Sequence, residues 1–218
     1  MSVKIIFICH TDNIVTYIQS KYENPSIIFV GNSEINNNNS NIIIARDLIH
    51  NIENEPKLLT FTAWYLIAKN NLFLEYDYLC LFEYDVILEE NFEKKLKIEC
   101  NKKINNIISF IPRNRGDCFL CDINYDIFTN YLKNKLVTYN INELWYSSTN
   151  HCIKREILLD FVDWYYPSCL QIKTLDYKKL SWYHERVFSA YLNHKKILIK
   201  YMSGLHHTQS NSHYTFNT

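Results

Sequence analysis

The residues best suited to chemistry are two carboxylates one position apart, in Glu83-Tyr84-Asp85. They follow the apolar run Tyr78–Phe82 and precede Val86-Ile87-Leu88. A carboxylate at the end of a buried strand is costly unless a partner takes up its charge, and a divalent cation is such a partner. In extended backbone, positions i and i+2 share a direction. One acid can then touch a cation while the other orders the loop or a water. The plain alternative is a surface turn that carries two acids.

Three further segments have chemical potential. The stretch from Gly204 to His213 holds three histidines, and neutral imidazole is a frequent metal ligand. His206 or His207 can close a coordination shell begun by Asp85; a frayed terminus is the alternative. In Tyr183-His184-Glu185-Arg186, an acid and a base meet at an expected helix start. Glu185 can accept the proton of an attacking hydroxyl, and Arg186 can hold Glu185 or neutralise phosphate. The same pair also reads as an ordinary cap and ion pair. After the first strand, His10 and Asn13 lie where loop polar groups read a base or ribose, although Asp12 or Asn13 can equally cap the next helix. Trp64, Trp145, Trp164 and Trp182 can stack on sugar or base, and most such rings are core.

These groups need a scaffold. Val3–Cys9, Ser26–Val30, Ile42–Ala45, Tyr78–Phe82, Asn106–Ile111 and Ile197–Tyr201 read as buried strands. Helices are expected over Ile14–Tyr22, from Pro56 through Leu72, and over Asn91–Lys102, Asp126–Leu132, Lys154–Trp164 and Trp182–Asn193. Strands alternating with helices predict an α/β protein whose central sheet is mixed and mostly parallel, flanked by helices. No linker or repeat divides the 218 residues, so one domain is expected, with halves of about 1–112 and 113–218.

Composition excludes several classes. With 23 Lys+Arg against 23 Asp+Glu, no electrostatic footprint of a non-specific nucleic-acid binder is present, nor a general attraction to anionic membranes. Three glycines leave no room for a GxGxxG or a P-loop. Seven irregularly spaced cysteines, with no visible secretory signal, predict free thiols in a reducing, cytoplasmic setting. Cys118-x-x-Cys121 lacks a second pair to complete a zinc site. No apolar run approaches the ~20 residues of a transmembrane segment. Asn and Ile make up about a quarter of the chain, which points to an A+T-rich genome.

In this order, the elements resemble a GT-A type glycosyltransferase. The segments Ile6–His10, Leu58–Tyr65, Glu83–Leu88, Asp163–Ser168 and Tyr183–Arg186 are similar to the small glycosyltransferase domain of chlorella viruses, which builds glycans on a capsid protein. The resemblance implies a GT-A-like fold and a UDP-sugar donor. It also implies Mn²⁺ or Mg²⁺ as cofactor, a glycan or glycoprotein acceptor, and a host-cytoplasmic location. It implies that Asp85 holds the metal with His206 or His207, while Glu83 departs from the Asp-x-Asp pattern. His10 and Asn13 would contact the uridine, and Asp47 and Trp64 would belong to the nucleotide-sugar pocket with Glu83 and Arg186. Glu185, or Asp163, would be the general base of an inverting reaction; a retaining one would use Glu185 to orient sugar hydroxyls. Rival readings are another metal-dependent enzyme such as a nucleotidyltransferase, a non-catalytic carbohydrate-binding module, and a degenerate transferase.

Overall fold

A computed structural model describes residues 1–36, 39–53, 58, 60–102, 104–110, 125–139, 150–169, 171–172 and 177–207. In its first half the elements are β1 (Val3–Cys9), α1 (Asp12–Lys21), β2 (Ser26–Phe29), β3 (Ile42–Ile44), α2 (Thr60–Lys69), β4 (Tyr78–Glu83), β5 (Val86–Leu88) and α3 (Phe92–Asn101). There follow β6 (Ile107–Ser109), α4 (Tyr125–Asn134), β7 (His151–Lys154), α5 (Arg155–Cys169), α6 (Tyr177–His194), β8 (Ile199–Tyr201) and β9 (Leu205–His207).

The apolar strands assemble one seven-stranded sheet in the order β3-β2-β1-β4-β7-β6-β8. Every neighbouring pair is parallel except those made by β7, which runs against β4 and β6. Alternate residues serve opposite faces, as strand geometry requires. Ile6, Ile8, Leu79, Leu81, Ile107 and Ile153 pack with α2, α4, α5 and α6. Phe7, Cys9, Tyr78, Cys80, Phe82 and Cys152 pack with α1 and α3. Both faces are covered, which is why the strand sequences are apolar runs rather than alternations.

Several boundaries differ from expectation. Pro56 lies outside the described residues, and α2 opens at Thr60. The helix expected to end at Trp164 continues through Pro167 to Cys169. The last helix begins at Tyr177, so Glu185 and Arg186 sit in its interior rather than at its start. Neither β7 nor the small antiparallel pair β5-β9 was expected. The chain reaches β9 through Gly204, whose φ is +134°, and a Cβ there would lie 3.1 Å from the Phe92 ring. Only glycine combines that backbone with that approach. The cap of α1 is neither Asp12 nor Asn13: Thr11 accepts from the Ile14 N–H. Cys9, Cys80, Cys100, Cys152 and Cys169 are buried free thiols, while Cys118, Cys121 and Trp145 lie outside the described residues. Among the described residues, no helix is long and apolar enough to cross a membrane.

Candidate active site

The strand directions bring the carboxyl ends of β1, β2, β3, β4, β6 and β8 to one edge of the sheet, together with the amino end of β7. Leaving β1, the chain moves outward to β2 and β3, then returns to β4 on the other side of β1. Such a reversal opens a crevice outside the strand ends, where open α/β sheets bind ligands. Two side chains span it: the rings of His10, after β1, and Tyr84, after β4, meet edge-on at 5.2 Å. Partial desolvation beside these neighbours pushes the His10 pKa down, although the residue stays exposed at the strand end. Tyr84 is pushed up, first by desolvation and then by the flanking charges of Asp85 and Glu83.

Glu83 has the parity of Leu79 and Leu81 and so turns toward α2. There the Thr60 hydroxyl, on the first turn of that helix, donates to Glu83 Oε1 at 3.0 Å. A helix N-terminus carries partial positive charge and favours a carboxylate at this point. The Glu83 N–H donates to Oδ1 of the buried Asn150 at 2.8 Å, just ahead of β7. Tyr84 and Asp85 form a turn, so the i, i+2 rule of extended backbone does not carry from Glu83 to Asp85. The two acids have separate tasks: Glu83 is tied to α2, while Asp85 is half-buried at the strand end with Oδ1 shielded from solvent.

β9 pairs antiparallel with β5, with His207 opposite Val86 and His206 opposite Ile87. The register sets His207 beside the residue that follows Asp85. His206 is 70% exposed and its Nε2 lies 3.2 Å from Glu89 Oε1. The adjacency that left the two histidines equivalent in the sequence is therefore broken by pairing. Among the described residues, no three His, Cys, Asp or Glu side chains converge as a metal site, and the His207 side chain lies outside those residues. The shielded carboxylate oxygen of Asp85 is a hard donor of the kind divalent cations such as Mn²⁺ or Mg²⁺ take.

On α6, the Arg186 guanidinium is 1% exposed and donates to Glu185 Oε2 at 2.8 Å. This is the holding role, because a side chain so enclosed does not present itself to a phosphate. The preceding His184 stacks on Phe61 at 5.4 Å, and Phe61 follows Thr60, so the α6 pair stands beside the first turn of α2.

Two other expectations fail. Trp64 is buried against Phe61, His151, Phe161 and Phe188 and cannot stack on a ligand. Asp163 is an exposed partner of Lys69 at 2.5 Å. Lys69 ends α2, about 13 Å along the helix from Thr60 at ~1.5 Å per residue, so Asp163 is remote from the strand ends. Asn13 is exposed in the first turn of α1, and Asp47 is exposed just beyond β3, at the margin of the same edge. The structure adds Thr60, Asn150 and Glu53. The last is a buried acid whose Oε2 accepts from the Gly31 N–H at 2.5 Å, after β2. A groove of about 1110 Å³ runs elsewhere, from the amino half of β1 past α3 to Glu89, and touches neither His10 nor Asp85.

These features define a GT-A-like α/β domain: a seven-stranded, mostly parallel mixed sheet flanked by helices, with an acid-x-Asp element at the end of its central strand. The apo structure of WbbM, a bifunctional glycosyltransferase, matches it with a TM-score of 0.63 at 16% identity, covering 96% of this chain and 46% of that one. The present chain thus spans less than half the length of WbbM, and at this identity the likeness is one of fold. The galactosyltransferase LgtC, solved with donor and acceptor sugar analogues, matches with a TM-score of 0.39 at 9% identity, over 90% of this chain and 72% of that one, which is too distant to carry an argument. No protein-family model and no curated protein matches the sequence.

Proposed function

We propose that this chain is a glycosyltransferase that moves a hexose from a UDP-sugar to a glycan acceptor, with Mn²⁺ or Mg²⁺ held by Asp85 and His207. The observation that carries this reading is the assembly at the β1–β4 crevice. His10, the Glu83-Tyr84-Asp85 turn and the β9 strand meet there in a fold shared with a glycosyltransferase. The sequence resemblance extends the proposal to glycans of a viral capsid glycoprotein, made in the host cytoplasm.

In this reading the first half, to about residue 112, binds the nucleotide-sugar and the second half receives the acceptor. Neutral His10 and the exposed Asn13 face the base and ribose, with Asp47 farther along the edge. A divalent cation held by Asp85 and His207 would supply Lewis-acid charge neutralisation to the leaving diphosphate. Glu83, fixed by Thr60, shapes the turn that presents Asp85. Glu185 takes the proton of the attacking hydroxyl, held in place by the Arg186 guanidinium 2.8 Å from its Oε2. A base in that role implies inversion at the anomeric carbon.

The test is a thermal-shift titration of UDP, GDP, CMP and UDP-sugars, each with and without Mn²⁺. Ligand binding to the native state raises the melting temperature by mass action. The expected result is a UDP shift that requires Mn²⁺ and disappears in Asp85→Ala. A UDP shift that survives Asp85→Ala unchanged, or no shift with any nucleotide, rejects the proposal.

A further inference from the structure

At the end of the sheet opposite the crevice, two helices finish side by side. α4 closes with Val137 N–H to Leu132 O and Leu136 N–H to Lys133 O, both at 3.0 Å. α6 closes the same way, Ile197 N–H to Leu192 O at 2.9 Å and Lys196 N–H to Asn193 O at 3.1 Å. These are paired Schellman closures, whose left-handed residue is most often glycine. Here the left-handed positions are Leu136, with φ 55°, and Lys196, with φ 54°. The Thr138 N–H donates to His194 Nδ1 at 3.3 Å and joins the two turns.

Leu136 costs twice. A branched side chain at positive φ is strained, and this one is also 83% exposed. The apolar contact that a Schellman turn uses comes from Val137, buried, and Ile197, half-buried; Leu136 supplies none. Leu198, 68% exposed, extends from the neighbouring turn, and the exposed Ile199 and Tyr201 follow on β8, an edge strand. Around them stand Lys133, Lys196 and Lys200, all exposed, and none has an ion-pair partner among the described residues. Lys195 is the paired one, 3.2 Å from Asp160. A chain with no net charge therefore gathers cations that have no ion pair among the described residues on one corner, around exposed apolar side chains.

We propose that this corner docks on an anionic lipid surface. Leu136 and Leu198 would enter the headgroup boundary, and Lys133, Lys196 and Lys200 would meet lipid phosphates. Exposed apolar side chains flanked by lysines are the chemistry of peripheral membrane attachment, in which each lysine adds an increment that salt screens. The carboxyl edge would then open away from the bilayer, toward solution.

The test is co-sedimentation of the full chain with vesicles of phosphatidylcholine alone and of phosphatidylcholine with phosphatidylglycerol. The expected result is binding to the anionic vesicles only, weakening as salt rises. Lys196→Glu with Lys200→Glu should lower the partition coefficient by at least about 25-fold, from roughly fivefold for each lysine charge lost, with repulsion by the added carboxylates increasing the effect. Leu136→Asn with Leu198→Ser should lower it by about tenfold or more while leaving the melting temperature unchanged or raised, because Asn tolerates the left-handed region. Ile49→Ser, an exposed apolar site at the other edge, should leave binding unchanged. Absence of binding to anionic vesicles at low salt overturns the proposal. So does binding indifferent to both double variants. A lipid-free dimer that Leu136→Asn/Leu198→Ser dissociates overturns it too, since a second copy would then cover the corner.

Discussion

His184 sits wholly inside the protein, stacked on Phe61, with Nδ1 bonded to the Tyr165 hydroxyl and Nε2 without a hydrogen-bond partner. Nothing there rewards a positive ring, and burial pushes its pKa from an ordinary 6.5 down to about 3. The ring is therefore neutral in the native state and free to charge when the chain unfolds. Below pH 6.5 the unfolded state binds the extra proton, so this stability is complete above 6.5 and drains away as pH falls toward 3. At pH 5 the deficit is about 1.5 pH units at ~1.36 kcal/mol each, or roughly 2 kcal/mol. At ~2.1 cal/mol/K of unfolding entropy per residue, this lowers the melting temperature by about 4 °C. His184→Gln keeps an amide in reach of Tyr165 and removes the titration. Urea unfolding followed by tryptophan fluorescence, run at pH 7.5, 6.5 and 5.0, should show the wild type losing about 2 kcal/mol more than the variant between 6.5 and 5.0. Equal losses for the two proteins refute the assignment of a neutral, enclosed imidazole.

Glu53 provides the converse case. Desolvation raises its pKa against the pull of the Gly31 N–H and Arg46, so its ionised form costs native stability as pH rises through the raised value. Glu53→Gln should be more stable than wild type at pH 7.5, with the gap closing near pH 4.5, as read by the same urea titrations. For the proposed chemistry, Glu185→Gln should reduce kcat by about 10²–10⁴ with little change in UDP-sugar affinity, measured by UDP release and by calorimetry. A change confined to KM would move Glu185 from proton acceptor to sugar ligand.

Strands whose both faces are covered announce themselves as apolar runs, and for that reason β1, β2, β4 and β6 were legible. β7 was not: His151-Cys152-Ile153-Lys154 is short, follows the polar Asn150, and acquires its identity only from β4 and β6 on either side. Trp64 was open to a core reading, since α2 buries Phe61, Thr62, Ala63, Trp64, Leu66 and Ile67 nearly all round, as an enclosed helix does. Asp85 and the β9 histidines were visible by type and order. The difference between His206 and His207 was not, because it resides in the register with β5. Thr60 and Asn150 serve Glu83 from 23 and 67 residues away, a distance over which no local pattern operates. Gly204 looked like the start of a loose tail and is instead the corner that leads Leu205–His207 into pairing with β5.

The position of β1 inside the sheet, between β2 and β4, has a consequence for synthesis. Its first partner, β2, begins only some 20 residues after their point of contact, but its second, β4, pairs Tyr78 with Val3 across roughly 75 residues. At ~5–20 residues per second, a nascent chain takes about 2.5–10 s over the roughly 50 residues between completing β2 and reaching β4. Throughout that interval Ile6, Phe7 and Ile8 offer an open, apolar hydrogen-bonding edge to any passing strand. The strand that later positions His10 is thus an open edge at birth, closed only once β4 has been made.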